Sequence, residues 1–401
     1  MNEGKGSVLG CMLLIAGSCI GAGMLGLPIV TGLAGFFPSL LMFFLAWLFM
    51  TSTALLLVEA NGWFSHQVNL LTMVNHALGK WGKGLCWVTY LFLFYAILVA
   101  YISGIGSLCE TFFKIPDWVG SVVFVALFGW IIYLGTRKVD LFNRGLMFFK
   151  IGFFALLVIL GARYIYPDYL LRTAAIKAPS ALPLLVIAFG FHNMIPSLTA
   201  YLKGDLKRVR ITIIGGSLMA FVIYLIWEVL VLGIVPISGI IDALKLDHEA
   251  SQAIAAVIQS KWVNLFAQGM AFFALLTSFL AQGLSLVHFL ADGLKMKIYD
   301  RTQGPTASQQ NFGLCTLALL PPLVLSLIYP QLFFKALNFA GGICAVILFG
   351  LLPVVMIWRG RYRLLAPGPQ QVGGGKVTLV LIFCFALFIF SMQLSKMICS
   401  N

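Results

Sequence analysis

The chain has 401 residues, 61% of them apolar and 10% charged, with a mean hydropathy of +1.00 and a net charge of +13. No soluble domain hides that much apolar surface, so the composition excludes a soluble globular protein and indicates a polytopic membrane protein. The basic excess suggests nucleic acid, but its placement excludes that: with the N-terminus inside, eighteen of the 26 Lys and Arg residues, among them Lys5, Lys297 and Arg301, fall in inside loops. The positive-inside rule then sets the N-terminus inside and the C-terminus outside, in a plasma membrane (the inner membrane of a Gram-negative cell).

Apolar stretches fall at 8–33, 36–58, 84–109, 118–135, 146–163, 181–201, 211–235, 262–289, 312–329, 332–357 and 377–398. They predict an all-α integral membrane protein of eleven transmembrane helices. The runs are continuous rather than alternating, which argues against a barrel. The whole chain reads as one membrane domain.

The first stretch is interrupted at Ala16-Gly-Ser-Cys-Ile-Gly-Ala-Gly-Met-Leu-Gly-Leu-Pro28. Residues 21–26 match GxGxxG, but a dinucleotide fold needs an acidic residue about 20 positions on. The chain has Phe-Phe-Leu-Ala at 43–46. Two readings remain. Gly17 and Gly21 form a GxxxG helix-packing pair. Alternatively the helix unwinds, its glycine amides approach a ligand, and the next half-helix points its positive end at a carboxylate. The amides of Gly21, Ala22 and Gly23 then hold an amino acid's carboxylate, and carbonyls near Ser18 and Phe189 accept from its ammonium.

In the connection from Ala60 to Gly82, which includes His66, Leu70, Leu71, Val74 and Leu78 recur at helical spacing and predict an interfacial helix. Glu59 and Glu110 fall at span ends and read as interfacial. Lys150, near the inner end of helix 5, either snorkels or is a buried titratable amine.

The second interruption is Phe189-Gly-Phe-His-Asn-Met-Ile-Pro196. His192 is either a hydrogen-bonded core residue or a group that contacts substrate and carries a proton. Phe189 and Phe191 fit an apolar side-chain pocket, with Asn193 beside them. Glu228 in helix 7 is a hydrogen-bonded buried acid or a proton carrier. The connection from Ser238 to Lys261 collects Asp242, Asp247, His248 and Glu249, with a helix over 250–258; it fits a cap over an outer vestibule and equally a solvated loop. In helix 8, Thr277 and Ser278 are either back-bonded hydroxyls or ligands for a small cation with the Ala274 carbonyl. Gln282 shares their face.

The eight cysteines show no CxxC spacing and read as small core residues. No HExxH, GxSxG, Walker A or Cys/His metal cluster is present, so no enzyme activity, metal, cofactor or ATP-driven mechanism is expected of this chain. No obligatory protein partner is evident; the bilayer and a small molecule are the partners expected. The two breaks lie in helices 1 and 6. Five helices separate them, which is the spacing of a five-plus-five inverted repeat (8–163 and 181–357) with an added helix at 377–398.

At these motifs the chain resembles the hydroxy/aromatic amino acid permease family of the amino acid–polyamine–organocation superfamily, most of all its tyrosine- and tryptophan-specific permeases. The stretches that carry the resemblance are Gly17 to Pro28, Glu59-Ala-Asn-Gly-Trp-Phe64 with Asn69-Leu-Leu-Thr-Met73, Ala100-Tyr-Ile-Ser-Gly104, Ala188 to His192 with Pro196-Ser-Leu198, and Leu276-Thr-Ser-Phe-Leu280 with Phe289-Leu-Ala-Asp-Gly293. The resemblance implies a LeuT-type fold and ion-driven uptake of an aromatic amino acid, tyrosine first, with protons favoured over Na⁺. It places Gly17 and Ile20, with Ala274, Thr277 and Ser278, at that fold's second sodium site, and makes Lys150 the amine that substitutes for the ion. Many members have Gly directly after the helix 6 His, where this chain has Asn193.

Overall fold

The computed structural model describes residues 7–64, 68–296, 305–329, 331–366 and 368–399. Lys5, His66, Lys297 and Arg301 lie outside them. The described residues form helices and connections, with no strand among them. A bilayer offers the backbone no partners, so a spanning chain must satisfy its own N–H and C=O groups, and helices do so.

In chain order the main helices are α1 (Val8–Cys19), α2 (Ala22–Thr31), α3 (Phe36–Asn61), α4 (Leu70–Leu108), α5 (Asp117–Tyr133), α6 (Thr136–Gly161), α7 (Leu182–Ala188) and α8 (Ile195–Tyr201). They continue with α9 (Leu206–Ile234), α10 (Ile237–Lys245), α11 (Ala250–Val257), α12 (Lys261–Gly293), α13 (Pro305–Ile328), α14 (Phe333–Leu364) and α15 (Gly375–Cys399). Among the described residues nine helices are long and apolar enough to cross a bilayer, α7 and α8 counting as parts of one, and the bent pair α1–α2 makes a tenth. Helix α5, at 17 residues, is shorter.

Two helices start well before their apolar runs. Helix α4 begins at Leu70, not at 84, because the interfacial segment runs into it across Gly79 (φ 76°), a left-handed turn that glycine adopts without strain. Asn69 caps it by accepting the Thr72 N–H at 2.9 Å. Helix α6 begins at Thr136, ten residues before the apolar run, because its first turns are polar and exposed; the Asp140–Arg144 pair (2.8 Å) lies there.

Helix α1 packs on α9, and α7 and α8 pack on α3; α6 packs on α12, and α14 packs on α4. Helix ends gather in two groups. Asn69, Thr136, Pro196 and Asp292 line one cavity, at what we call the near end. Glu110, Asp117, Asp247, Ser326 and Gln331 line another, at the far end.

Glu59, read as interfacial from its place in the chain, is buried instead. Both of its oxygens accept from Arg361 at 2.7 Å, and Oε2 also accepts the Gln371 N–H at 2.8 Å. These contacts tie the near end of α3 to the last turn of α14 and to the linker after it.

Candidate functional site

Helix α1 stops at Cys19, α2 starts at Ala22, and the two are bent by 58°. The Gly21 N–H turns back to the Cys19 carbonyl (2.9 Å). Of the three amides expected to hold a carboxylate, Ala22 and Gly23 therefore open the new helix, where N–H groups have no intrahelical partner. Glycine at 21 and 23 answers to close approach. A Cβ on Gly21 would lie 2.6 Å from Ser278 Oγ, and one on Gly23 would lie 3.0 Å from Ala188 Cα.

The second break runs from Phe189 through Phe191, after which His192 opens a single tight turn that leads into α8. His192 is 1% exposed. Its Nε2 lies 2.9 Å from Thr53 Oγ1, and its ring stacks on Phe349 at 4.7 Å. Thr53 also donates to the Met50 carbonyl (3.1 Å). A hydroxyl has one proton, so this geometry has the imidazole donating from Nε2 and leaves Nδ1, which has no partner, as an acceptor. Asn193 is exposed. With His192 it lines the near-end cavity of about 670 Å³, whose walls include Tyr90, Phe94 and Phe289.

Lys150 is buried, 2% exposed, although α6 is otherwise the least covered of the long helices. Its ammonium donates to the Ile20 carbonyl at 2.9 Å, to Gly17 O at 3.4 Å and to Thr277 Oγ1 at 3.4 Å. These are carbonyls that the break in the first helix frees from the ladder. A three-donor cation fills that position without a second charge to neutralise it.

Helix α9 supplies contacts that the sequence reading did not single out. Tyr224 Oη lies 2.7 Å from both the Cys19 and the Ala188 carbonyls, so one hydroxyl spans the two breaks. Trp227 Nε1 donates to the Met24 carbonyl at 2.9 Å. Glu228 meets Thr31 Oγ1 at 2.9 Å toward the far end.

The structure thus brings Gly17, Ile20, Lys150 and Thr277 into one cluster and sets Ser278 against Gly21. It separates others. The Thr277 hydroxyl donates back along its own helix, to the Phe273 carbonyl (2.8 Å) ahead of the Ala274 carbonyl (3.2 Å), so the Ala274 carbonyl is not turned to the Lys150 ammonium. Ser18 bonds back to the Ile15 carbonyl (2.8 Å). The Phe189 ring meets Tyr224 edge-on at 5.0 Å, and Phe191 is fully buried beside His192. Gln282 is half-buried and is not among the residues lining the near-end cavity. Tyr224 and Thr53 carry no signal of their own in the sequence, since a lone Tyr or Thr in an apolar helix reads as core.

On the far side the cradle is closed. Gly26 sits against Leu184, Phe333 and Phe334. Asp247, between α10 and α11, accepts the Phe333 and Phe334 N–H groups (2.7 and 3.1 Å) and so caps α14. Glu249 caps α11, and Gln252 donates to Ser107 and Thr111 at the end of α4 (2.9 and 2.7 Å). The connection is therefore a docked cap, not a solvated loop. Among the described residues no three His, Cys, Asp or Glu side chains form a metal cluster.

The model of the tryptophan/tyrosine permease family matches residues 4–393. Tyrosine-specific transport system 1 of Haemophilus influenzae is 35% identical over 398 residues, covering 98% of this chain and 96% of the relative. The tryptophan-specific transport protein of the same organism is 28% identical, over 95% of this chain and 94% of the relative. Two solved structures share the fold at 14% identity and a TM-score of 0.64. One is the transporter MhsT in complex with L-phenylalanine, over 97% of this chain and 98% of that one. The other is a manganese transporter of Eremococcus coleocola, over 100% and 90%. Both are transporters of the LeuT-type fold.

Proposed function

The chain belongs to the tryptophan/tyrosine permease family, and within it we propose that this member imports tyrosine by proton symport, with its N-terminus in the cytoplasm and its C-terminus outside. It is an integral multi-pass membrane transporter of aromatic amino acids and not an enzyme. The proposal counts eleven spans, α5 included, arranged as a five-plus-five inverted repeat with α15 added. The packing pairs support this. The contact of α1, in the first half, with α9, in the second, answers to α7 and α8 on α3, and α6 on α12 answers to α14 on α4, each shifted by five spans.

In this reading Ala22 and Gly23 amides take the substrate carboxylate, and carbonyls near Ser18 and Phe189 take its ammonium. His192, Asn193 and the aromatic wall of the near-end cavity receive the ring, with Phe191 and Gln282 behind them. The observation that carries proton rather than Na⁺ coupling is Lys150. Its ammonium already occupies the carbonyls of Gly17 and Ile20 beside Thr277, where a metal ion would otherwise sit. When that amine gives up its proton it stops donating three ways, and the hold between α6 and the broken helix weakens. Ala274 and Ser278 flank this centre, and Glu228 is a second carrier on the far side. The packing of Leu184, Phe333 and Phe334 on Gly26 and the cavity at the near end support the reading of a carrier turned to the cytoplasm.

Uptake of labelled tyrosine into proteoliposomes, with an imposed pH gradient and Na⁺ replaced by choline, tests the proposal. Accumulation that survives choline and collapses with an uncoupler is expected. Accumulation that requires Na⁺ overturns the coupling, and accumulation of labelled tryptophan but not of labelled tyrosine overturns the substrate.

A further inference from the structure

A groove of about 640 Å³ opens on the bilayer-facing surface between α4, α13, α14 and α15, away from the substrate cradle. Its floor is apolar: Phe92, Ala96 and Val99 of α4 and Ala336 and Phe339 of α14. From Phe92 to Val99 it runs about 10 Å along α4. Its far-end rim is different. Lys335 and Lys396 both line it, and no acidic residue does. Asp247, whose charge reaches Lys335, already accepts the backbone N–H groups of Phe333 and Phe334. Gln393 also lines the groove, with its stem packed on Gly342.

We propose that this groove is a binding site for one anionic phospholipid of the outer leaflet, phosphatidylglycerol, whose phosphate is held by Lys335 and Lys396 and whose acyl chain lies along Phe92 and Phe339. The shape supplies the chain site, and the two ammonium groups supply the sign of the headgroup. The site rests on the outward placement of this end.

Native mass spectrometry of the full chain in detergent, titrated with phosphatidylglycerol, phosphatidylcholine or phosphatidylethanolamine, tests it. Each lysine near the headgroup plane adds about fivefold in affinity for an anionic lipid. Wild type is therefore expected to retain one phosphatidylglycerol with at least tenfold preference over phosphatidylcholine, and K335Q/K396Q is expected to lose most of it. Inorganic phosphate at millimolar concentration is expected not to displace the lipid. Should the double variant fold poorly, Ala336→Trp fills the groove without touching a charge and is expected to abolish the bound lipid while the melting temperature stays within a few degrees of wild type. Equal retention of all three lipids by wild type, or unchanged retention in both variants, overturns the proposal.

Discussion

The Lys150 ammonium lies 2.9 Å from the Ile20 carbonyl, so the point where the first helix breaks is held by a side chain from a helix 130 positions further along. Charge-assisted hydrogen bonds of this kind contribute about 1.5–3 kcal/mol each. Lys150→Met is expected to lower the initial rate of proton-driven tyrosine uptake by about tenfold or more. Uptake under a fixed pH gradient, normalised to protein in the membrane, measures it. A variant with wild-type accumulation would remove Lys150 from the coupling mechanism.

Gly21 and Ser278 make a steric pair. An added Cβ at 21 would sit 2.6 Å from Ser278 Oγ but 3.6 Å from its Cβ. Gly21→Ala is therefore expected to cut uptake about tenfold, and Gly21→Ala/Ser278→Ala to recover at least about threefold relative to the single variant. Ser278→Ala alone is the reference. If the double variant is no better than Gly21→Ala, the clash is not the cause.

The far-end cap should respond to pH. Burial raises the Asp247 carboxyl to about 6, against the lowering effects of its two backbone donors and Lys335. Burial likewise raises Glu249 to about 7, against the hydrogen bonds of Ser251 and Gln252. A carboxyl raised in the docked state binds its proton more readily there than when released, so its stabilising contribution is full below the ordinary carboxylate range and is lost as pH rises through 6 and 7. His248 acts in the opposite sense, since burial lowers it and Glu110 only partly restores it. The two carboxyls set the pH dependence between about pH 4 and 7. Hydrogen exchange of residues 237–258, corrected for the intrinsic rate, is expected to show greater protection at acid external pH. Asp247→Asn should flatten the lower part of that profile.

The buried Glu59–Arg361 fork makes a prediction about stability rather than transport. Removing one partner strands the other's charge, at about 3–5 kcal/mol, whereas apolar replacement of both is far milder. Glu59→Met and Arg361→Met are each expected to melt well below wild type, and the double variant above both. Thermal unfolding in one detergent checks the order; a double variant that melts lowest would show that the pair stabilises outright.

Much of this arrangement is legible in the chain because helix-breaking residues crowd into two short windows of the apolar runs. Gly17 to Pro28 and Phe189 to Pro196 mark the two interruptions directly. Lys150 is conspicuous for being charged, but its register is not: only the packing of α6 on α12 brings its amine over Ile20. Tyr224 and Thr53 are invisible for the converse reason. Each is an ordinary helix residue whose role comes from where a distant backbone happens to lie. Glu59 misleads because its partner is 302 positions away in the last turn of α14, where no pattern points back to it. Helix starts fail where polar first turns extend past the apolar run, as at Thr136.

The left-handed elbow at Gly79 separates two jobs that a straight helix would have fused. The segment before it lends Leu70, Leu71 and Met73 to the rim of the near-end cavity, while the segment after it lends Tyr90 and Phe94 to the wall. Under the proposed import mechanism, exit and recognition fall to different stretches of one helix. Selection can retune how fast cargo leaves by changing the rim, and leave untouched the residues that decide which cargo is taken.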